Sequence, residues 1–389
     1  MTKELEDDLQ RVLGRAAEIA PQAPGGFSAH IARTSRRRRT RTLAVATALA
    51  AAVVAGGVTA TVRGLDQGGT QIAVAPGEQI PDPVEKVWPA AVWKIPARLP
   101  DGGKFQPKLF IDDKTVLLET WESFEKANAL YAYDLATGQV RKITDIRTRK
   151  GVYASNYIVG AGRVIWMTAE KKGTRFWSAP LEGGQPTAIT TDTPIAGAVD
   201  KATVTGDRIA FSLAKGGVFT LPLTGGGVTP VAGAERHHIL RWPWVGTPGP
   251  HMPDNVTSFE ELLNAETGET SKAVTRPGEE FVTCGVTMCV GVRADNSAFH
   301  RLRDGSQERD LPGQAIAGLA LDRFMTVMMT GATRGQALLD VTTGTSADLG
   351  LRPDAKGQML SIYPGLDSDP LITYELDGRY VLIDLTRIG

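Results

Sequence analysis

Cysteine, histidine and aromatic residues are all scarce in this 389-residue chain: two cysteines, five histidines and 6% aromatics. A zinc site takes about four ligands, and neither a C-x-x-C pair nor histidines at zinc spacing stand beside Cys284 and Cys289. His30, His237, His238, His251 and His300 fall in no catalytic signature. His237 and His238 are neighbours, so on a strand they point to opposite faces and cannot share a metal. The chain has no G-x-S-x-G elbow, no H-E-x-x-H and no phosphate loop. Gly225-Gly226-Gly227 reads as a hairpin turn. Asp112-Asp113 and Asp367-Ser368-Asp369 lack the alternating ligands of a calcium loop and read as solvated turns. Neither charge sign prevails: 43 Lys and Arg balance 43 Asp and Glu. That removes the basic field that would draw in nucleic acid. No metal, no cofactor and no nucleic-acid partner are expected.

Long apolar runs are also rare, and the exception organises the chain. Residues 43–62 run from Leu43 to Val62 without a charge. At about 1.5 Å per residue, such a helix spans roughly the 30 Å hydrocarbon core of a bilayer. Arg36, Arg37, Arg38, Arg39 and Arg41 precede it and stay in the cytoplasm by the positive-inside rule. The expectation is a single-pass bacterial membrane protein, N-terminus inside and the large C-terminal domain outside. A cleaved signal peptide is the competing reading, with small-residue sites at Val58-Thr59-Ala60 and Ala73-Val74-Ala75. Pro76 disfavours the second site, and some forty residues before the apolar run are too many for an ordinary leader. Arg38-Arg39 is a weak twin-arginine feature.

Ahead of the anchor, Leu5, Leu9, Val12, Leu13, Ala16 and Ile19 recur at helical spacing. Glu4, Glu6, Asp7 and Asp8 favour the start of that helix. Pro21 and Pro24 end it. The expected organisation is a cytoplasmic segment 1–42, a transmembrane helix 43–62, an extracytoplasmic linker 63–86 rich in Gly and Pro, and a domain 87–389.

That domain repeats itself. Strand, tight Gly turn and strand recur around Gly138, Gly184, Gly226, Gly268, Gly305 and Gly344. A truncated copy, Tyr380 to Leu385, closes the chain. A second hairpin precedes each, turning at Asp112-Asp113, Gly160 to Gly162, Gly206-Asp207 and Asp322-Arg323. Four-stranded units spaced by roughly forty residues predict an all-β, seven-bladed β-propeller. The last blade lacks its outer strand, and Ala91-Val92-Trp93-Lys94-Ile95 is expected to supply it and close the ring.

Trp88-Pro89, Val92 to Pro96, Leu99-Pro100-Asp101-Gly102 and Phe110 to Asp113 together resemble membrane-anchored propeller proteins of actinobacteria, loosely grouped as TolB-like or WD-repeat-like. Arg241-Trp242-Pro243-Trp244-Val245-Gly246 and the Cys284 to Gly291 stretch add to the resemblance. It implies fold and location rather than an activity.

Cys284 and Cys289 flank a four-residue turn, where opposed strand positions lie within disulfide range. An extracytoplasmic location permits oxidation, so a disulfide is expected. The ligand-binding face is expected on the loops joining second and third strands: Trp121, Glu122, Glu125, Lys126, Lys171, Lys172, His251 and Arg334. Trp242 and Trp244 read as packing residues. The expected function is a non-enzymatic binding, sensing or scaffold module with membrane and protein partners. A propeller lyase or hydrolase is the enzymatic alternative. A third reading makes the N-terminal helix an arm that holds a cytoplasmic transcription regulator.

Overall fold

The computed structural model describes residues 71–72 and 80–389, except 124–125, 150–151, 171–172, 251, 314–316, 330–333 and 367–369. The expected cytoplasmic helix and the apolar segment 43–62 lie outside the described residues. Among the described residues no helix is long and apolar enough to cross a membrane.

Seven sheets follow one another along the chain. The first blade comprises Phe105–Asp112, Thr115–Ser123, Lys126–Asp134 and Val140–Asp145. Blades two to five repeat this antiparallel meander, ending at Ala188, Pro230, Lys272 and Leu311. First strands of neighbouring blades touch, the innermost segments ring a central cavity, and the chain is a seven-bladed β-propeller.

The third-to-fourth-strand turns show why the sequence repeats. Asp134-Leu-Ala-Thr-Gly138, Asn264-Ala-Glu-Thr-Gly268 and Asp340-Val-Thr-Thr-Gly344 are one device used three times. In the first two, the side-chain oxygen of Asp134 or Asn264 accepts from the second and third backbone N–H groups that follow. Asp340 takes the N–H of Thr342 and the hydroxyl of Thr343. Each glycine N–H returns to the first residue's carbonyl at 2.8 Å. The glycines sit at φ of 73°, 74° and 73°, where a Cβ would be strained.

Second strands carry near-continuous apolar runs, because a blade packs on both its faces. Val116, Leu117 and Leu118 are fully buried, as are Val164 and Ile165, and Ile209, Ala210 and Phe211. Apolar clusters join successive blades. Phe176 meets Phe211 between the second and third, and Ile95, Phe105 and Leu382 meet between the seventh and first. Among the described residues, the junction of blades four and five holds two small clusters, around Phe259 and Phe299.

The expected closure is present. Val92–Pro96 pairs antiparallel with Arg379–Asp384, from Val92 opposite Ile383 to Pro96 opposite Arg379. With Leu371–Leu376 this makes a three-stranded seventh blade, so strands from both ends of the described chain share one sheet. Blade six also departs from the regular unit. Its strands are Phe324–Met329, Gly335–Asp340 and Ser346–Asp348. The expected first hairpin shrinks to one bridge between Ala320 and Phe324. Gln71–Ile72 runs parallel to Met328–Met329, and Pro83 bridges Asp348. Parts of the expected linker 63–86 therefore belong to the sixth sheet.

Candidate functional site

A cavity of about 400 Å³ occupies the middle of the ring. Its wall comes from the ends of innermost segments: Leu109 to Ile111, Tyr157 to Val159, Lys201 to Thr203, Ile239 to Trp242, and Leu319, Leu321 and Asp322. Gly285, Val286, Leu366 and Leu371 complete it. These residues lead into first-to-second-strand turns. The cavity is thus at the face opposite the second-to-third-strand loops expected to bind.

Its wall mixes apolar side chains with polar groups, of which Lys201, Arg241 and Asp322 carry charge. Asp322 is buried, with 7% of its side chain exposed, and pairs with Arg241, which is 46% exposed. The N–H groups of Val286 and Met288 donate to the same carboxylate at 3.2 and 3.4 Å. A Cβ on Gly285 would fall 1.6 Å from Asp322 Oδ1, so no side chain fits there. Lys201 Nζ donates to the Leu240 carbonyl at 2.8 Å.

The turn that faces Asp322 carries the disulfide. Cys284 and Cys289 are register partners, bonded through sulfur, with Cα atoms 4.0 Å apart. Cys284 N–H turns away from this pairing to Ser258 O, as a non-hydrogen-bonded cross-strand pair requires. Behind the turn lies Arg303, 5% exposed and, among the described residues, paired with no carboxylate. Its guanidinium donates to the carbonyls of Phe259, Gly285, Glu260 and Ser271 and to the Ser271 hydroxyl. Burial pulls its pKa down to about 10, against the pull of Asp322 and Glu260, so it stays cationic at neutral pH. Asp322 and Arg303 thus grip one turn from two sides and tie blades four, five and six.

Between blades three and four, Asp200 bridges two partners. His238 Nδ1 lies 2.5 Å from one oxygen, and the Ser212 hydroxyl donates to the other. Burial raises the Asp200 pKa, but the hydrogen bonds from His238 and Ser212 outweigh it and hold the carboxyl below its ordinary range. These are the residue types of a hydrolase triad in the wrong order. Ser212 bonds aspartate rather than histidine, is fully buried, and accepts from Ile239 N–H. Arg301, also fully buried, is held by Glu279, Glu308 and Val274 O over the Phe299 ring.

A second cavity of about 630 Å³ lies at the junction of blades four and five, lined by Asn255 to Thr257, Thr275 to Glu280 and Val282. The enlarged loop expected to bind ligand forms part of it. Ser258 N–H donates to Val282 O at 2.9 Å, and Phe259 is fully buried.

Of the expected binding residues, Glu125, Lys171, Lys172 and His251 lie outside the described residues. Trp121 and Glu122 end a strand of blade one, Lys126 begins the next, and exposed Arg334 precedes a strand of blade six. Among the described residues, Trp121, Lys126 and Arg334 line neither cavity. Both tryptophans pack as expected, Trp244 against Leu240, Phe259 and Leu262 and Trp242 against the cluster around Ile239 and Val245; Trp242 also borders the central cavity and donates to Glu266 at 2.8 Å. Sequence reasoning missed Arg303, Asp322 and the Asp200 bridge. Only their burial sets them apart, and no motif encodes it.

No protein-family model and no curated protein match this sequence. Solved structures with a similar fold include YCF48 bound to D1 peptide, at 10% identity and a TM-score of 0.44, covering 78% of this chain and 97% of that one. BamB from Moraxella catarrhalis is 12% identical with a TM-score of 0.33, covering 73% and 86%. The C-terminal WD40 domain of Sif2 is 11% identical with a TM-score of 0.36, covering 69% and 79%. These likenesses concern the fold.

Proposed function

We propose that this chain is a membrane-anchored protein that displays its propeller outside the cytoplasm as a non-enzymatic binding module. The observation that carries the binding reading is the central cavity: about 400 Å³, walled by both apolar and polar groups, and framed by side chains already locked to neighbouring blades. Preformed sites of this kind bind with little reorganisation. The triad-like Asp200, Ser212 and His238 join two blades, with Ser212 bonded to the aspartate rather than the histidine, which supports a structural role for these three. The anchored, exported location rests on residues 43–62, the arginines before them and the disulfide. A protein partner is assigned to the opposite face, with Trp121, Lys126 and Arg334 as its described residues.

Two measurements test this. Protease added to intact protoplasts should remove the propeller and spare an N-terminal epitope tag, and a protected C-terminus refutes the topology. Detergent-solubilised full chain should capture a protein from the same membranes, and K126E together with R334E should abolish the capture. Undiminished capture by that variant refutes the assigned face.

A further inference from the structure

We infer that the groove at the junction of blades four and five holds a lysine side chain presented by the protein partner. This rests on the assignment of a protein partner to the face of the second-to-third-strand loops, and it names what that face recognises. The groove opens on that face. Residues 255–260 belong to the loop between Trp244–Thr247 and Glu261–Asn264, the second and third strands of blade four. Residues 275–280 lead from Thr270–Lys272, the last strand of blade four, into Glu280–Cys284, the first of blade five. At about 630 Å³ the space is within the range of sites that enclose a small ligand.

The groove offers acceptors that nothing fills. Thr257 lines it and is only 9% exposed, yet among the described residues no group hydrogen-bonds its hydroxyl. Such a hydroxyl is costly to bury unless a ligand or water meets it. Glu280 lines the same groove and, among the described residues, has neither a hydrogen bond from its carboxylate nor an ion pair. Glu260 faces Lys272 at 3.3 Å, but that lysine is 65% exposed and shared with Glu261, so Glu260 keeps accepting capacity. The other charged groups of the wall are committed. Glu279 gives both oxygens to Arg301, and Arg276 donates to Glu308 and to the Gly305 carbonyl.

An ammonium carries donors and no acceptor, which matches two carboxylates and a hydroxyl. Among the described residues no three acidic or histidine side chains gather closely enough to hold a metal ion, so the cation that fits is an organic one. Val256, Pro277 and Val282 line the same space and can cover the methylenes of a lysine stem. Acceptors spread over two loops suit rotatable ammonium donors better than the planar fork of arginine.

The test uses the purified full chain in one nonionic detergent at about pH 8, where histidine side chains are uncharged. The probe is acetyl-Gly-Lys-Gly-amide, with norleucine and arginine versions for comparison. Saturation-transfer NMR and calorimetric titration should find the lysine peptide bound at roughly 1–10 mM. The norleucine peptide should bind about tenfold more weakly, and the arginine peptide several-fold more weakly. Glu280→Gln should weaken the lysine peptide by about fivefold or more and leave the norleucine peptide little changed. Thr257→Val keeps the shape of the buried side chain and should weaken the lysine peptide several-fold. Thr275→Trp, at an exposed position lining the groove, should abolish binding of both while the melting profile stays wild-type. Equal binding of the lysine and norleucine peptides, or lysine-peptide binding unaffected by E280Q or by T257V, overturns the cation assignment. Equal or tighter binding of the arginine peptide overturns the choice of lysine. Lysine-peptide binding undiminished in folded T275W overturns the location, and no binding at all overturns the ligand class. Capture of a membrane protein by the full chain reports on the whole face, so a failed peptide titration with capture intact removes the groove and leaves the partner's face standing.

Discussion

Replacing Arg303 with methionine tests whether the polar grip between blades four and five substitutes for the apolar clusters that join other blades. The substitution keeps an unbranched side chain and removes five donated hydrogen bonds. Not every acceptor is orphaned, because Glu260 O also receives Ala273 N–H at 2.8 Å. Phe259 and Gly285 lie outside the strand ladders, so their buried carbonyls bear most of the loss. An unsatisfied buried acceptor costs about 1–3 kcal/mol, giving roughly 2–6 kcal/mol for two. Removing a buried cation relieves some desolvation in return. The net expectation is a loss of about 2–4 kcal/mol. At roughly 2 °C per kcal/mol for a domain of this size, melting should fall by about 4–8 °C. Differential scanning fluorimetry of the full chain measures it, with R334M as an exposed control expected within about 0.5 kcal/mol of wild type. R303K should lose nearly as much, because an ammonium cannot span acceptors on three separate segments. If R303M melts within about 1 °C of wild type, the grip contributes nothing net and the apolar contacts around Phe259 and Phe299 suffice.

Ring closure predicts that I95D, which places a charge where Ile95 is 3% exposed opposite Tyr380, costs about 3 kcal/mol or more and opens the ring to limited proteolysis. Wild-type resistance would refute closure by that strand. Non-reducing peptide mapping should find Cys284 linked to Cys289, and the double serine variant should lose about 1–3 kcal/mol, the low end expected for so short a loop. Quantitative labelling of both thiols in native, unreduced protein would refute the linkage and weaken the case for export. Asp200 has a carboxyl held below its ordinary pKa, so its contribution is full above the unfolded value of about 3.8. It is lost as pH falls through the lower folded value. D200N should be less stable than wild type at pH 7, and the gap should narrow below about pH 4 in acid-unfolding scans. A gap independent of pH would refute the linkage.

The blade repeat was legible because its turns need particular residues: glycine where φ is positive, and Asp or Asn where two N–H groups need an acceptor two and three residues earlier. Closure by residues 92–96 was legible for a related reason, since a final blade short of one strand needs an apolar donor from elsewhere. The candidate site was not legible in the same way. Its expected location rested on loop length, yet length alone does not separate a solvated loop from one that pairs. The segment ending at Phe259 has the Gly and Pro of a loop, but Phe259 and Ser258 anchor it to the edge of the next blade. Asp322 and Arg303 read as ordinary turn residues in sequence. Only the ring brings segments some eighty residues apart, such as Arg241 and Asp322, into contact.

The irregular inner edges of blades six and seven bear on the cavity itself. Among the described residues, the inner position of blades six and seven is taken by short stretches around Leu319 to Asp322 and Leu366. Leu321 and Asp322 both line the cavity, at φ of 53° and 61°. There an apolar side chain and a buried carboxylate lie side by side. It also gives a discriminating test. L321G relaxes one positive-φ residue and removes apolar wall while keeping Asp322. It should leave the melting temperature nearly unchanged, because a glycine favours that backbone while the lost side chain is only half-buried. Binding of a neutral apolar dye such as N-phenyl-1-naphthylamine should still fall several-fold through lost contact. Stability that collapses while binding per folded molecule persists would show that Leu321 is there to hold the ring rather than to shape the cavity.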